Sequence, residues 1–232
     1  MRVRVPLVAA FLALACLHSA QADRSRLGAD ADEIEAGDCE VETTLARQTR
    51  RGAGPERETS IELACGVGFR TEVTLSAARR RGDGGRETER ALEGKTTLTS
   101  PADAGVGLAL GYGASAVREQ HSAWRSSEHF VVVAASYRLS SDWATEAKLG
   151  TARQRAARHD STIWLLAVEH ALIAELLEAR VELSGDDRDK PKLELSLRYT
   201  IRPESVSLKL ASGIQAGPQR ARQVRLGLIV EF

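Results

Sequence analysis

Strict alternation of apolar and polar residues runs through most of this sequence, and it constrains the fold more than any other feature. Every second residue is apolar from Leu193 to Ile201, and the pattern returns from Val206 to Leu210 and from Val224 to Phe232. Successive side chains of a β-strand point to opposite faces. The alternation therefore predicts strands with one apolar and one polar face, as in a sheet that separates two different environments.

About twelve segments share this pattern and are separated by turn residues. They lie near residues 38–48, 58–68, 70–80, 87–99, 104–117, 127–139, 142–152, 160–170, 174–184, 190–201, 204–214 and 222–232. Short connections are expected at one end of the sheet, and longer ones near 49–57, 81–86, 118–126, 153–159, 185–189 and 215–221 at the other. This predicts an all-β fold, an antiparallel up-and-down transmembrane β-barrel with about twelve strands. Strands of about nine to eleven residues suffice to cross a membrane when tilted.

The region 162–183 leaves two alternatives open. It is rich in Leu, Ala and Glu, which favour helices, and it has no Gly, Pro or Asn at the expected turn. However, Leu177, Ala179, Val181 and Leu183 alternate with charged residues. We therefore predict two strands, with a helix as the alternative.

The first 22 residues have the pattern of a secretory signal peptide. Arg2 and Arg4 precede an apolar run from Leu7 to Leu17, and Ala20-Gln21-Ala22 fits a cleavage site. We expect 1–22 to be removed, 23–36 to be a flexible periplasmic segment without a clear period, and 37–232 to form the barrel. Export places the protein in an oxidising compartment, where a disulfide persists.

Charged residues opposite the apolar stripe favour a membrane barrel, in which they would line the lumen. They are Glu40, Glu42, Glu62, Glu72, Glu93, Lys95, Glu146, Lys148, Glu169, Glu178, Arg180, Glu182, Glu194, Arg198, Lys209, Arg225 and Glu231. A water-soluble β-sandwich is the alternative, since alternation alone does not separate the two folds. Only 4% of the residues are aromatic, enough for a thin interfacial belt.

Several short segments carry a family resemblance. Gly37–Glu42, Ile61–Cys65, Thr71–Leu75, and Leu197–Pro203 followed by Val206–Leu208 resemble proteobacterial outer-membrane β-barrel proteins of a transporter-like group, related to the MetA-pathway phenol-degradation barrels. The terminal Phe232 after an alternating strand resembles the signature that the barrel-assembly machinery recognises. The resemblance implies an outer-membrane location and fold, and it does not specify a substrate.

Two cysteines of the mature chain fall at matching positions of the first predicted hairpin. If the hairpin is centred on residue 52, Val41 faces Leu63 and Cys39 faces Cys65. Directly opposed residues have Cβ atoms about 4.5–5.5 Å apart, so a modest adjustment allows a disulfide. We predict a structural Cys39–Cys65 disulfide at the periplasmic end.

The charged inner face has two interpretations. It can line a selective polar pore, or its ion pairs can fill a narrow lumen. Acidic residues exceed basic ones among the predicted lining residues, which favours a water-filled, cation-preferring interior. Both the open and the closed barrel remain possible at this stage.

Arginines collect near the predicted longer loops. They include Arg50, Arg51, Arg79, Arg80, Arg81, Arg118, Arg153, Arg155, Arg220 and Arg222. In an outer-membrane barrel this rim would face lipopolysaccharide, whose phosphates suit the guanidinium fork. A solvated charged loop surface is the alternative. Nucleic-acid binding is not expected, because the arginines are scattered without interleaved aromatic residues and the net charge is +0.

Enzymatic and metal-binding patterns are weak. His159-Asp160-Ser161 contains the residue types of a hydrolytic triad, but adjacent strand residues point to opposite faces. No metal site or cofactor is expected. We predict passive passage of small solutes through a charged lumen, with a closed structural or surface-interaction barrel as the alternative and a barrel lipid hydrolase third. The expected surroundings are outer-membrane lipid, lipopolysaccharide and the barrel-assembly machinery.

Overall fold

The computed structural model describes residues 35–100, 105–155, 159–174, 176–188, 190–203, 205–217 and 220–232. Its twelve β-strands are β1 (Cys39–Arg50), β2 (Glu56–Gly68), β3 (Thr71–Gly82), β4 (Gly85–Thr99), β5 (Val106–Glu119), β6 (Arg125–Arg138), β7 (Trp143–Gln154), β8 (His159–Ile173), β9 (Leu177–Asp186), β10 (Lys192–Arg202), β11 (Val206–Gln215) and β12 (Ala221–Glu231). No described segment is a helix long and apolar enough to span a membrane.

The strands form a closed antiparallel barrel. Each strand pairs with its neighbours in sequence, and β12 closes the ring by pairing with β1 from Glu40↔Glu231 to Arg50↔Ala221. The predicted twelve-stranded barrel is confirmed. Closure satisfies the backbone hydrogen bonds of both edge strands, which a sheet immersed in lipid requires.

Alternation sorts the side chains of this single layer into two faces. The outer face is apolar and exposed along the middle of the strands: Leu75, Leu210 and Leu226 are 54%, 51% and 50% exposed. The charged residues of the sequence pattern lie on the inner face. A β-sandwich would bury the apolar face between two sheets, so the sandwich alternative is wrong for this chain.

The ambiguous region 162–183 forms two strands, as predicted. β8 and β9 pair from Ile163↔Asp186 to Ile173↔Leu177, with one register shift beside the turn. These residues form strands despite their helix propensity, because each strand of the closed ring makes backbone hydrogen bonds to a neighbour on both sides.

Connections are short at both ends of the barrel, which corrects the expected difference in loop length. The termini-side end carries Cys39 and Phe232 with the connections 69–70, 100–105, 139–142, 174–176 and 203–205. The loop-side end carries 51–55, 83–84, 120–124, 155–158, 187–191 and 216–220. The predicted long loop at 81–86 is a two-residue turn, because β3 and β4 extend to a Gly82↔Gly85 pair.

The predicted disulfide joins the first two strands. Cys39 is directly opposed to Cys65, their Cα atoms are 4.2 Å apart and a disulfide links them. Backbone hydrogen bonds also hold the chain around this point: Cys39 and Phe232 donate to each other's carbonyl oxygens, and Ala36 forms a parallel bridge with Gly66. The disulfide therefore lies where the first and last strands close the ring.

Removing this disulfide is expected to destabilise the barrel. It closes a chain segment of 26 residues, and cross-links of this span stabilise proteins by about 3 kcal/mol through restriction of the unfolded chain. The Cys39→Ser/Cys65→Ser variant should unfold at lower urea concentration, and reduction of the wild-type protein should reproduce the shift. Equal midpoints, together with two free thiols in the denatured, unreduced wild type, would contradict the assignment.

Candidate functional site

The lumen collects nearly all acidic side chains of the strands. The registers place every predicted lining residue on the inner face. Acidic and basic residues that the sequence reasoning missed lie there too: Glu56, Glu58, Glu87, Glu89, Glu128, Asp186, Arg50, Arg80 and Lys192. Acidic side chains therefore outnumber basic ones along the lumen. Continuing the alternation to the strand ends would have found these additional residues.

Glutamates oppose one another along one wall of the lumen. Glu42 of β1 is directly opposed to Glu62 of β2, and Glu40 is opposed to Glu231 of β12. Glu58 lies further along β2 and is 6% exposed. We call the inner face of β1 and β2 the acidic wall. Opposed like charges are unfavourable unless cations or bases neutralise them, so this wall attracts positive charge.

A cluster on β7–β9 places an arginine among three glutamates. Nη2 of Arg180 lies 2.5 Å from Oε2 of Glu146 and 3.7 Å from Glu182, and Nη1 lies 3.5 Å from Glu169. Nζ of Lys148 is 2.8 Å from Oε1 of Glu146. The side chains of Lys148 and Glu146 are only 2% and 5% exposed. This cluster fixes charged side chains in the lumen by mutual pairing.

Further ion pairs cross the remaining inner face. Glu194 of β10 pairs with Arg225 of β12 and with Lys192, whose Nζ lies 3.3 Å away. Near the termini-side end, Arg198 reaches over β11 to Glu231 at 2.7 Å. Other pairs join Lys95 to Glu72 at 2.9 Å, Arg80 to Glu87 at 3.9 Å and Arg50 to Glu56 at 3.6 Å.

Part of the inner face of β6–β8 is apolar. Val132, Ala152, Ile163, Leu165 and Ala167 form a packed cluster on β6–β8, and Leu165 is 0% exposed. Phe130 packs against it. Its ring passes so close to Gly113 that an added Cβ would stand 2.6 Å from it, so the glycine makes room for the ring. We call this inner surface the apolar wall.

The two walls face each other across the barrel. In a closed ring of twelve strands, β1 and β2 lie opposite β7 and β8. The acidic wall therefore lies opposite the apolar wall. Most of the ion pairs that arginines and lysines form with glutamates lie on the strands between the two walls. Phe130 narrows this lumen because it has the same inward parity as Val132.

The predicted arginine rim divides between two faces. Arg50 and Arg80 point inward, which corrects their assignment to a lipopolysaccharide-facing surface. The cause is alternation, since three consecutive strand residues such as Arg79, Arg80 and Arg81 share no single face. Arg79, Arg81, Arg118, Arg153 and Arg222 lie on outward positions, and Arg51, Arg155 and Arg220 lie in connections.

The triad residue types do not converge. His159 and Ser161 occupy inner positions, whereas Asp160 lies on the outer face beside Arg153, 3.7 Å from its Nε. The Ser161 hydroxyl donates to the carbonyl oxygen of Ala152. Within the described ranges, no group of three or more His, Cys, Asp or Glu side chains is placed to hold a metal ion.

The barrel has the fold of bacterial outer-membrane channels. The NanC porin superposes with a TM-score of 0.61 at 10% identity, over 81% of this chain and 98% of that chain. The KdgM porin in complex with disordered oligogalacturonate gives 0.60 at 9% identity, over 82% and 99%. The COG4313 outer membrane channel from Pseudomonas putida F1 gives 0.59 at 11% identity, over 88% and 98%. Identities this low show a common fold.

At the level of sequence, the chain belongs to the family described as Uncharacterised conserved protein UCP029691, whose model matches residues 10–232. No curated protein matches it.

Proposed function

We propose that the protein is a passive outer-membrane channel for small solutes with a preference for cations. The main support for this proposal is the acidic wall, in which Glu42 and Glu62 are directly opposed inside a closed ring. Acidic linings of this kind select for cations. The KdgM structure contains oligogalacturonate, a polyanion, and an acidic wall would repel such a solute. The proposed solutes are therefore small cations and neutral molecules.

A closed barrel is the second candidate, and the apolar wall favours it. Leu165 and Ala152 are 0% exposed, so this side of the lumen is filled by side chains. The charged side is closely packed further inside the barrel as well, since Glu58 and Glu194 are each 6% exposed. At the termini-side end, by contrast, the side chains of Arg198 and Glu231 are 38% and 34% exposed. The proposed channel is therefore narrow inside the barrel and wider at the termini-side end. The proposal includes no enzymatic reaction.

The cellular setting is part of the proposal. The predicted signal peptide 1–22 and most of the predicted flexible segment 23–36 lie outside the described residues, and we propose cleavage after Ala22 with residues 37–232 as the barrel. Phe232, 69% exposed at the strand end, is proposed as the assembly signal read by the barrel-assembly machinery. The termini-side end then faces the periplasm, and the loop-side arginines face lipopolysaccharide. A closer relation to MetA-pathway phenol-degradation barrels stays a prediction.

The acidic wall is tested by neutralising its opposed pair. In a planar bilayer with a potassium chloride gradient, Glu42→Gln/Glu62→Gln should shift the reversal potential toward zero, because two negative charges leave the lumen. Asp160→Asn is the matched control: Asp160 lies on the outer face, 3.7 Å from Nε of Arg153, so its change removes a negative charge from outside the lumen and should leave selectivity nearly unaltered. An unchanged reversal potential in the double variant would show that the acidic wall does not determine ion selectivity.

A further inference from the structure

Arginines are directly opposed across four neighbouring strands on the outer face at the loop-side end. Arg47 of β1 is opposed to Arg57 of β2, Arg57 to Arg81 of β3, and Arg81 to Arg86 of β4. Opposed residues of antiparallel strands have Cα atoms about 4.5–5.5 Å apart. Like charges at this separation destabilise a sheet. Negative charge from outside the chain would therefore stabilise this row of four arginines.

Three more arginines and a tryptophan extend this row. Arg79 lies next to Arg81 on the same face of β3. Arg90 and Arg118 flank the indole of Trp124, with guanidinium carbons 4.8 and 5.0 Å from the ring centre. We call the eight residues the arginine patch: Arg47, Arg57, Arg79, Arg81, Arg86, Arg90, Arg118 and Trp124.

The carboxylates close to the arginine patch do not face it. Glu56, Glu58, Glu87 and Glu89 alternate with the patch residues and point into the lumen. Asp83 accepts a hydrogen bond from the backbone N–H of Gly54 at 2.8 Å. Within the described residues, the opposed row forms no ion pair.

The outward arginine on β7 differs from the patch. Arg153 has Asp160 3.7 Å away on β8. The outward arginine of β7 therefore has a carboxylate partner within the chain, unlike the opposed row on β1–β4.

The patch borders the apolar middle part of the outer face, which we call the apolar belt. Moving toward the middle of each strand, the outward positions become Leu45 on β1, Ile61 on β2, Ala77 on β3 and Leu92 on β4. Tryptophan prefers the boundary between the hydrocarbon and headgroup regions. A ligand of the patch would thus have acyl chains against the belt and negative charge at the level of the arginines.

We propose that the arginine patch is a binding site for a phosphorylated glycolipid of the lipopolysaccharide class. Its phosphates lie between the opposed guanidinium groups, whose planar fork donates two hydrogen bonds to one phosphate. Its acyl chains lie along the outer face of β1–β4. The proposal rests on the outer-membrane orientation proposed above, and it does not require a conducting lumen.

The test is binding of purified lipopolysaccharide to the refolded mature protein in detergent, measured by calorimetry. Arg57→Gln/Arg81→Gln/Arg86→Gln should weaken binding about tenfold or more, because three charge-assisted contacts are removed. Arg153→Gln is the matched control and should bind like wild type. Dephosphorylated lipopolysaccharide should bind wild type as weakly as intact lipopolysaccharide binds the triple variant. Heat-modifiable gel migration verifies that every variant is folded.

Three results would overturn the proposal. Wild-type affinity in the folded triple variant would remove the arginines from the site. Equal binding of dephosphorylated lipopolysaccharide would show contact through acyl chains alone. Equal competition by phosphatidylglycerol or inorganic phosphate at matched phosphate concentration would indicate a general anion surface. The assay involves no ion flow, so a silent lumen in the bilayer experiment would leave its outcome unaffected.

Discussion

Leu210→Arg should destabilise the folded barrel in a membrane by about 2–4 kcal/mol, the cost of a basic residue on the lipid face at mid-membrane depth. Leu210 stands in the middle of β11 and is directly opposed to Leu197 on β10 and Leu226 on β12. Its side chain is 51% exposed on the outer face. In lipid this exposure is contact with hydrocarbon, which does not solvate a guanidinium group.

Leu139→Arg is the matched control for this substitution. Leu139 is 58% exposed, similar to Leu210, but it lies in the termini-side connection 139–142. The same change should there cost about 0–1 kcal/mol. Both variants are compared by urea unfolding in lipid vesicles, with gel migration as the folding readout. Equal effects of the two substitutions would mean that the apolar belt does not contact hydrocarbon.

Arg180→Ala should open the lumen and loosen the barrel. The guanidinium group lies among Glu146, Glu169 and Glu182, so its removal leaves three acidic groups facing a wider passage. Conductance should rise severalfold and cation preference should increase. Stability should fall by about 3 kcal/mol, the lower end for breaking a buried pair, because Lys148 still pairs with Glu146.

Two further variants separate the causes of this effect. Arg180→Met removes the charge and keeps most of the side-chain volume, so it should raise cation preference with little gain in conductance. Arg198→Ala removes an arginine from the more exposed termini-side end, and it should cost no more than about 1 kcal/mol. If folded Arg180→Ala conducts like wild type, Arg180 does not narrow the passage.

The fold was largely predictable because alternation is a direct consequence of strand geometry. The register of the first hairpin followed from its centre alone, and it placed Cys39 opposite Cys65 as found. The two strands within 162–183 were also correct, because Leu177–Leu183 keeps a period of two. The strand ends were less predictable. Ladder pairing in β3 and β4 continues through arginines and glutamates that carry no apolar signal.

The apolar wall could not be derived from the sequence. On β6, both Val131 and Val132 are apolar, although the first faces outward and the second inward. β8 has the same ambiguity at Leu165 and Leu166. Where both faces are apolar, alternation does not distinguish lipid contact from packing inside the lumen. The distinction requires the position of each strand in the closed ring.

The arginine patch shows a second limit of sequence reasoning. Clustering along the chain grouped Arg79, Arg80 and Arg81, but the middle residue faces the lumen and pairs with Glu87. The opposed row instead joins residues of four strands, including Arg47 and Arg86. Cross-strand opposition depends on register, which a one-dimensional cluster does not contain.

The reversal potential of single wild-type channels across a potassium chloride gradient tests the central claim most directly. The refolded mature protein is inserted into a planar bilayer, and its folding is verified by heat-modifiable gel migration. We expect steady current with a reversal potential of the sign that marks preference for potassium over chloride. Silence from folded protein would establish the closed barrel, and preference for chloride would contradict the role given to the acidic wall.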